Sequence, residues 1–121
     1  MTCPTSSEQL AAYRDSHSRC AVCYSTGKYW NDRLEIHHIV GRYKKELGHD
    51  RRNLLILCRD CHAGYHSGGG RTLSLGHVLQ AKSEEDGLDI AFLASLKNRV
   101  GLSEDPAPLP LWATEARKDN R

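Results

Sequence analysis

The clearest strand signal in the chain is Leu54-Leu55-Ile56-Leu57, an apolar run too short for an independent helix, rich in strand formers and leading straight into Cys58. A partner lies upstream, where Tyr29, Trp30, Leu34 and Ile36 take strand-compatible positions between Lys28 and Ile39, the strand closing at His37-His38. The two are predicted to pair antiparallel. Residues 40–52, VGRYKKELGHDRR, hold two glycines and a cluster of bases without a sustained period, as expected of an exposed loop, and residues 59–67 predict a short helix.

Helices flank this centre. Residues 5–14 predict one, with Thr5 or Ser6 as N-cap and Glu8 or Gln9 three positions on. Gly68-Gly69-Gly70 breaks the chain, after which Leu75, Val78 and Leu79 have helical spacing between a Thr72 or Ser74 cap and Gly87. Leu93, Leu96 and Val100 mark another helix from Asp89 to Gly101. Pro106, Pro108 and Pro110 predict an extended tail, with Trp112 available to dock on the domain or a partner. The organisation is therefore α+β: one domain over 1–121, with an N-terminal helical segment (1–19), a small two-strand-and-helix core (20–67), C-terminal helices (68–105) and a Pro-rich tail (106–121).

Composition narrows the class. At 121 residues, 39% hydrophobic and 26% charged, the chain is globular and of one-domain size, and no apolar run approaches the roughly 18 residues that span a bilayer, so membrane insertion is not expected. The first residues lack a basic start followed by an apolar stretch, so a reducing, cytoplasmic compartment is expected. Five cysteines in that setting suggest metal rather than disulfides. The net charge is only +2, but residues 14–71 hold 11 Lys or Arg against 6 Asp or Glu. A zinc ion bound by four thiolates would reduce that modest positive field, which permits nucleic-acid binding without establishing it.

Cys20-x2-Cys23 and Cys58-x2-Cys61 are two chelating knuckles of the kind a structural four-cysteine zinc site requires. The 34 residues between them exceed the gap of a minimal zinc ribbon and must form structure of their own, supplied by the two strands. A zinc staple also answers the size deficit of residues 20–66, too few to bury a large core. Redox cysteines are the competing reading, disfavoured by the second pair and the neighbouring histidines. Cys3 lies outside the pattern and reads as a free thiol.

Beside the knuckles stand His37, His38, Asn53, His62 and His66. His62 and His66, four apart, share a helix face, whereas Cys61 sits about 100° around from His62, so two separate metal sites are implied. Gly64 between the histidines weakens that helix by about 1 kcal/mol. A third ligand must come from the facing strand, where His37 and His38 point to opposite sides, which leaves one of them free as a base. Phosphodiester hydrolysis needs that combination: a base to deprotonate the attacking water and a cation to neutralise the leaving oxygen opposite.

With CAVC, LEIHHIVGR and RRNLLILCRDCHAGYH in this order and spacing, residues 20–66 resemble the HNH endonucleases of the ββα-metal fold, in their four-cysteine zinc branch. The resemblance covers about two fifths of the chain. It implies His38 as general base; His37, often Asp in relatives, with His62 and His66 as ligands of a catalytic divalent ion; and Asn53 as the amide that braces the loop and holds the base in position. It also implies Cys20, Cys23, Cys58 and Cys61 as structural Zn2+ ligands, Arg42 as a group that neutralises the scissile phosphate, and products with a 5′-phosphate and a 3′-hydroxyl. Three imidazoles favour zinc, nickel or manganese, with magnesium still open.

DNA is the substrate so implied. Lys44, Lys45, Arg51, Arg52 and Arg59 are candidate phosphate contacts, each weighed against an ordinary solvated position. No recognition helix is evident, so sequence preference should be weak and binding salt-sensitive. The main rival is a non-catalytic zinc module that binds DNA or protein, which explains the cysteines and leaves the histidines and Asn53 as coincidence. The size and added helices resemble free-standing phage and prophage HNH proteins, which implies a bacterial or phage-infected cytoplasm and a terminase or another packaging protein as partner; homing and restriction nucleases stay open. His17, His49 and His77 read as ordinary surface positions.

Overall fold

The computed structural model describes residues 6–27, 33–41, 49–67, 72–96 and 105–120. Two strands, β1 (Leu34–His38) and β2 (Leu54–Cys58), form an antiparallel hairpin, and a 3-10 turn (Arg51–Asn53) leads into β2. Around them stand α1 (Ser6–Ser16), α2 (Arg59–Ser67), α3 (Leu75–Glu85), α4 (Ile90–Leu96) and α5 (Leu111–Asp119). The register places Ile36 opposite Ile56 and His37 opposite Leu55. This is the α+β arrangement of a small ββα-metal core with flanking helices.

β2 is buried along its whole length because both of its faces are covered. Leu54 and Ile56 pack with Tyr13 of α1, joined by Leu10, Leu34 and Ile36. Leu55 and Leu57 face the main core with Val22, Ile39, Val40, Val78, Leu79 and Leu93. A strand covered on both sides reads as a continuous apolar run, whereas β1 alternates, with Leu34 and Ile36 toward α1 and Glu35 and His37 toward α2. Three further main-chain bonds extend the hairpin: Ala21 N–H to the Ile56 carbonyl (2.9 Å), Arg59 N–H to that of Arg33 (2.8 Å) and Ile39 N–H to that of Asn53 (2.9 Å).

The elements differ from the sequence reading at their ends. α1 runs two residues beyond the expected end at residue 14; Thr5 and residues 28–32 of the expected first strand lie outside the described residues, as do Cys3 and residues 97–101 of the second C-terminal helix. The Ser74 cap is as expected, its hydroxyl accepting from His77 N–H (3.3 Å) while the His77 ring accepts from Ser74 N–H (3.1 Å). The tail departs most. Pro110 ends the extended stretch and serves as N-cap of α5, a helix that the prolines concealed, and Ala113 is buried with Trp112 against the core. Among the described residues no helix is long and apolar enough to cross a membrane.

A buried polar knot ties α1 and α3 to the hairpin. Lys82, 1% exposed, donates all three ammonium hydrogens: to the Arg51 carbonyl, the Leu54 carbonyl and Asp86 Oδ2, each at 2.8 Å. Asp86 also accepts from Tyr13 OH at 2.6 Å and pairs with His17 Nε2 at 2.8 Å. His17 is therefore a link in this knot rather than an ordinary surface residue. Burial opposes the Asp86 charge, but the donors from Lys82, Tyr13 and His17 outweigh it and bring its carboxyl down to about 2, while burial lowers Lys82 and raises Tyr13.

Asp86→Asn is expected to cost about 2 kcal/mol at pH 7, read by urea unfolding. Because the folded carboxyl titrates below its ordinary 3.8, that stabilisation is complete above about pH 4 and is lost as pH falls toward 2. The unfolding free energies of the two proteins should therefore converge in acid, and a pH-independent gap would refute the assignment.

Candidate metal centres and active site

Cys20, Cys23, Cys58 and Cys61 converge in the core, all at most 1% exposed, with their sulfurs within 4.8 Å of one another and no disulfide among them. The first pair sits on a tight turn that Tyr24 closes with φ of 65°, its N–H bonded to the Cys20 carbonyl at 3.0 Å. The second pair straddles the junction of β2 and α2. Burial pushes the Cys20 thiol up and its three neighbours push Cys61 up, while S–H contacts hold Cys23 and Cys58 down. A soft divalent cation resolves that crowding, since coordination favours the thiolate at all four positions, and the donor set fits structural zinc.

The first knuckle is locked from the far end of the chain. Arg117 of α5 donates from Nε to the Val22 carbonyl (2.8 Å) and from a terminal nitrogen to that of Ala21 (2.9 Å), and Asn120 Nδ2 donates to that of Cys23 (3.0 Å). The Tyr24 ring lies between the guanidinium groups of Arg19 (3.7 Å) and Arg117 (4.3 Å). Nothing local in the sequence marks Arg117 or Asn120 for this task, because the contacts span more than 90 residues.

A second cluster lies between β1 and α2. The ligand nitrogens of His37, His62 and His66 fall within 4.8 Å of one another, and His62 Nε2 and His66 Nε2 are 3.1 Å apart. α2 remains helical through Gly64, so the four-residue spacing does bring the two rings together. His37 is 2% exposed, and among the described residues its Nε2 is the buried side-chain nitrogen or oxygen atom with no hydrogen-bond partner. An orphaned buried nitrogen costs about 1–3 kcal/mol, so one aimed at two further imidazoles points to a cation they share. Burial, followed by the His62, His66 and His38 charges, lowers His37 to about 3, which keeps the ring in its neutral, electron-donating form.

Glu35, which the sequence reading passed over, completes this cluster. Its Oε1 lies 3.1 Å from His62 Nδ1 and its Oε2 lies 3.3 Å from an Arg33 terminal nitrogen. Against the push of burial, His62 and Arg33 hold its carboxyl below the ordinary range. A carboxylate on Nδ1 fixes the His62 tautomer and leaves Nε2 as the nitrogen that would face a shared ion. Strand alternation was a usable signal, since Glu35 and His37 are two apart on β1.

His38 takes the opposite side of the strand and is half-buried, with its Nε2 3.0 Å from His49 Nδ1. Burial first, then His49 and His62, lower its pKa. His49 is thus not the plain surface residue that the sequence suggested, nor is His77, which caps α3. Asn53, fully buried, bonds both ends of its amide to Val40: Oδ1 accepts from Val40 N–H (2.8 Å) and Nδ2 donates to the Val40 carbonyl (3.0 Å). It thereby fixes the backbone two residues beyond His38.

Of the candidate phosphate contacts, Arg51 and Arg59 are exposed. Arg52 is exposed but engaged within the fold, bonded to Asp50 (3.0 Å), paired with Asp89 (3.6 Å) and stacked over Phe92 (3.7 Å). Arg42, Lys44 and Lys45 lie outside the described residues.

Glu35→Ala is expected to weaken divalent-ion binding at the imidazole cluster about 10- to 100-fold while leaving zinc content at the cysteines unchanged, read by calorimetric titration of zinc-loaded protein with Ni2+ or Mn2+. Arg117→Ala should do the reverse, speeding zinc loss to a chelator and sparing the imidazole cluster. Equal effects of both variants on both centres would refute two separate sites.

Comparison with known families agrees with this geometry. No curated protein and no solved structure matches the chain. The family model described as HNH endonuclease matches residues 20–68. That span holds both cysteine knuckles, the hairpin and α2, and the match of residues 20–68 to an HNH endonuclease model supports a nuclease-type function with residues that could hold a metal ion.

Proposed function

We propose that the protein is a metal-dependent endonuclease that hydrolyses phosphodiester bonds of DNA. The observation that carries this reading is the imidazole cluster with its orphaned His37 nitrogen, set one residue from a second imidazole on the opposite side of the same strand. A zinc module that only binds would require the four cysteines and would have no use for that pairing.

A divalent ion at His37, His62 and His66 would supply Lewis acidity toward the phosphate and the leaving oxygen. The chain supplies the rest. His37, His62 and His66 present neutral nitrogens from two rigid elements, with Glu35 holding His62 in orientation. His38 takes the proton from the attacking water, so that the water oxygen bonds phosphorus as the opposite P–O bond breaks. Asn53 keeps the end of β1 from drifting, which matters because a small misplacement of a base costs rate steeply. The three-imidazole set favours zinc, nickel or manganese over magnesium, and the products are expected to carry 5′-phosphate and 3′-hydroxyl ends. Arg51 and Arg59, with Lys44 and Lys45, are proposed to hold the DNA backbone, and Arg42 to neutralise the scissile phosphate. Neither a contact among the described residues nor the family match points to terminase as a partner.

Plasmid nicking with added Mn2+, Ni2+, Zn2+ or Mg2+ tests the reading. His38→Ala should cut at least about 100-fold more slowly than the intact protein while still retaining DNA. Equal cutting by both proteins would sink the assignment of the base, and DNA retention without cleavage under every metal would favour the binding module. Retention should also fall steeply between about 50 and 200 mM salt, and binding indifferent to salt would count against phosphate-backbone recognition.

A further inference from the structure

His49 belongs to no motif of the domain, yet its position is closely determined. It precedes Asp50, whose carbonyl accepts from Asn53 N–H (2.9 Å) and whose Oδ1 accepts from Arg52 N–H (2.9 Å). Asn53 in the same turn binds Ile39 and Val40, the two residues that follow His38. The turn and the end of β1 are therefore one hydrogen-bonded unit, and that unit brings the His49 and His38 rings edge to face, with centroids 5.1 Å apart and planes at 74°. His49 Nδ1 and His38 Nε2 lie 3.0 Å apart, a hydrogen-bonding distance.

We propose that His49 is a positioning residue for His38: its Nδ1 accepts the His38 Nε2–H and so selects the His38 tautomer whose lone pair is on Nδ1. This rests on the nuclease reading of His38 as base. A neutral imidazole has one N–H and one lone pair, and a bond between two neutral imidazoles uses one of each. If His38 accepted from His49, its only lone pair would be occupied and its Nδ1 would carry hydrogen, leaving no base. If His38 donates, the Nδ1 lone pair is the one that meets water. His49 then keeps its own proton on Nε2 throughout.

The same bond acts more strongly during reaction than before it. As the water proton passes to His38 Nδ1, the oxygen bonds phosphorus and the leaving oxygen departs with the electron pair of the broken P–O bond, later taking a proton from solvent. His38 becomes an imidazolium, and its Nε2–H bond to His49 becomes charge-assisted. A contact that tightens as charge develops lowers the barrier rather than improving substrate binding.

The test uses the zinc-loaded full chain in two independent readouts. In cleavage kinetics, His49→Ala should lower kcat about 10- to 100-fold with KM and divalent-ion affinity unchanged, and His49→Asn, whose Oδ1 can still accept, should recover most of the loss. In nitrogen-15 NMR, which needs no cleavage, His38 should carry its proton on Nε2 in the intact protein and in His49→Asn, and should become a tautomer mixture in His49→Ala. An unchanged kcat in His49→Ala, a change confined to KM, an Asn variant as slow as the Ala variant, or a His38 proton on Nδ1 in the intact protein would each overturn the proposal. Failure of the nuclease reading looks different, since there His38→Ala cuts as well as the intact protein whatever His49 does.

Discussion

Four buried sulfurs are the constraint on which the rest of the fold depends. They join a turn before β1 to the exit of β2 and the first turn of α2, so the cation they suit fixes the angle between the hairpin and the helix. That angle is what sets His37 opposite His62 and His66. A hairpin and one short helix bury too little surface to hold such an angle unaided. On the proposed reading, a metal at the cysteines would act on the chemistry only through geometry, and the imidazole cluster would be left to react.

The second layer of control is polar and lies in the connection between the strands. Asn53 pairs with Val40, Lys82 caps the Arg51 and Leu54 carbonyls on either side of Asn53, and Asp86 anchors Lys82. A chain of hydrogen bonds thus runs from α3, outside the residues that match the HNH model, to the backbone beside His38. Buried polar groups satisfied this completely hold one geometry, and each missing partner would leave a neighbour unpaired in the core. The helices after residue 72 are in this sense part of the site's support, as well as packing on its core.

What could be read from the sequence followed from local spacing. The two knuckles, the i and i+4 histidines and the continuous apolar run of β2 each translate directly into a position, and the resemblance to HNH nucleases rested on them. Glu35 was within reach of the same reasoning by alternation along β1. His49, Lys82 and Arg117 were not, because each acts across a connection whose path no periodicity reveals, and a histidine or lysine in a polar stretch looks the same whether solvated or committed. The helix at Leu111–Asp119 was hidden for another reason: closely spaced prolines signal an extended tail, and the last of them in fact serves as a helix start.

The grip of Arg117 and Asn120 on the first knuckle has a further consequence for assembly. During synthesis the two cysteine pairs are available well before these residues emerge, so a cation could be captured there before its enclosure is sealed. By linkage, whatever pulled the last helix away would loosen an ion bound there, and loss of that ion would free the last helix in turn. Release of the C-terminal segment to a protease would therefore report the state of a centre that has no colour of its own.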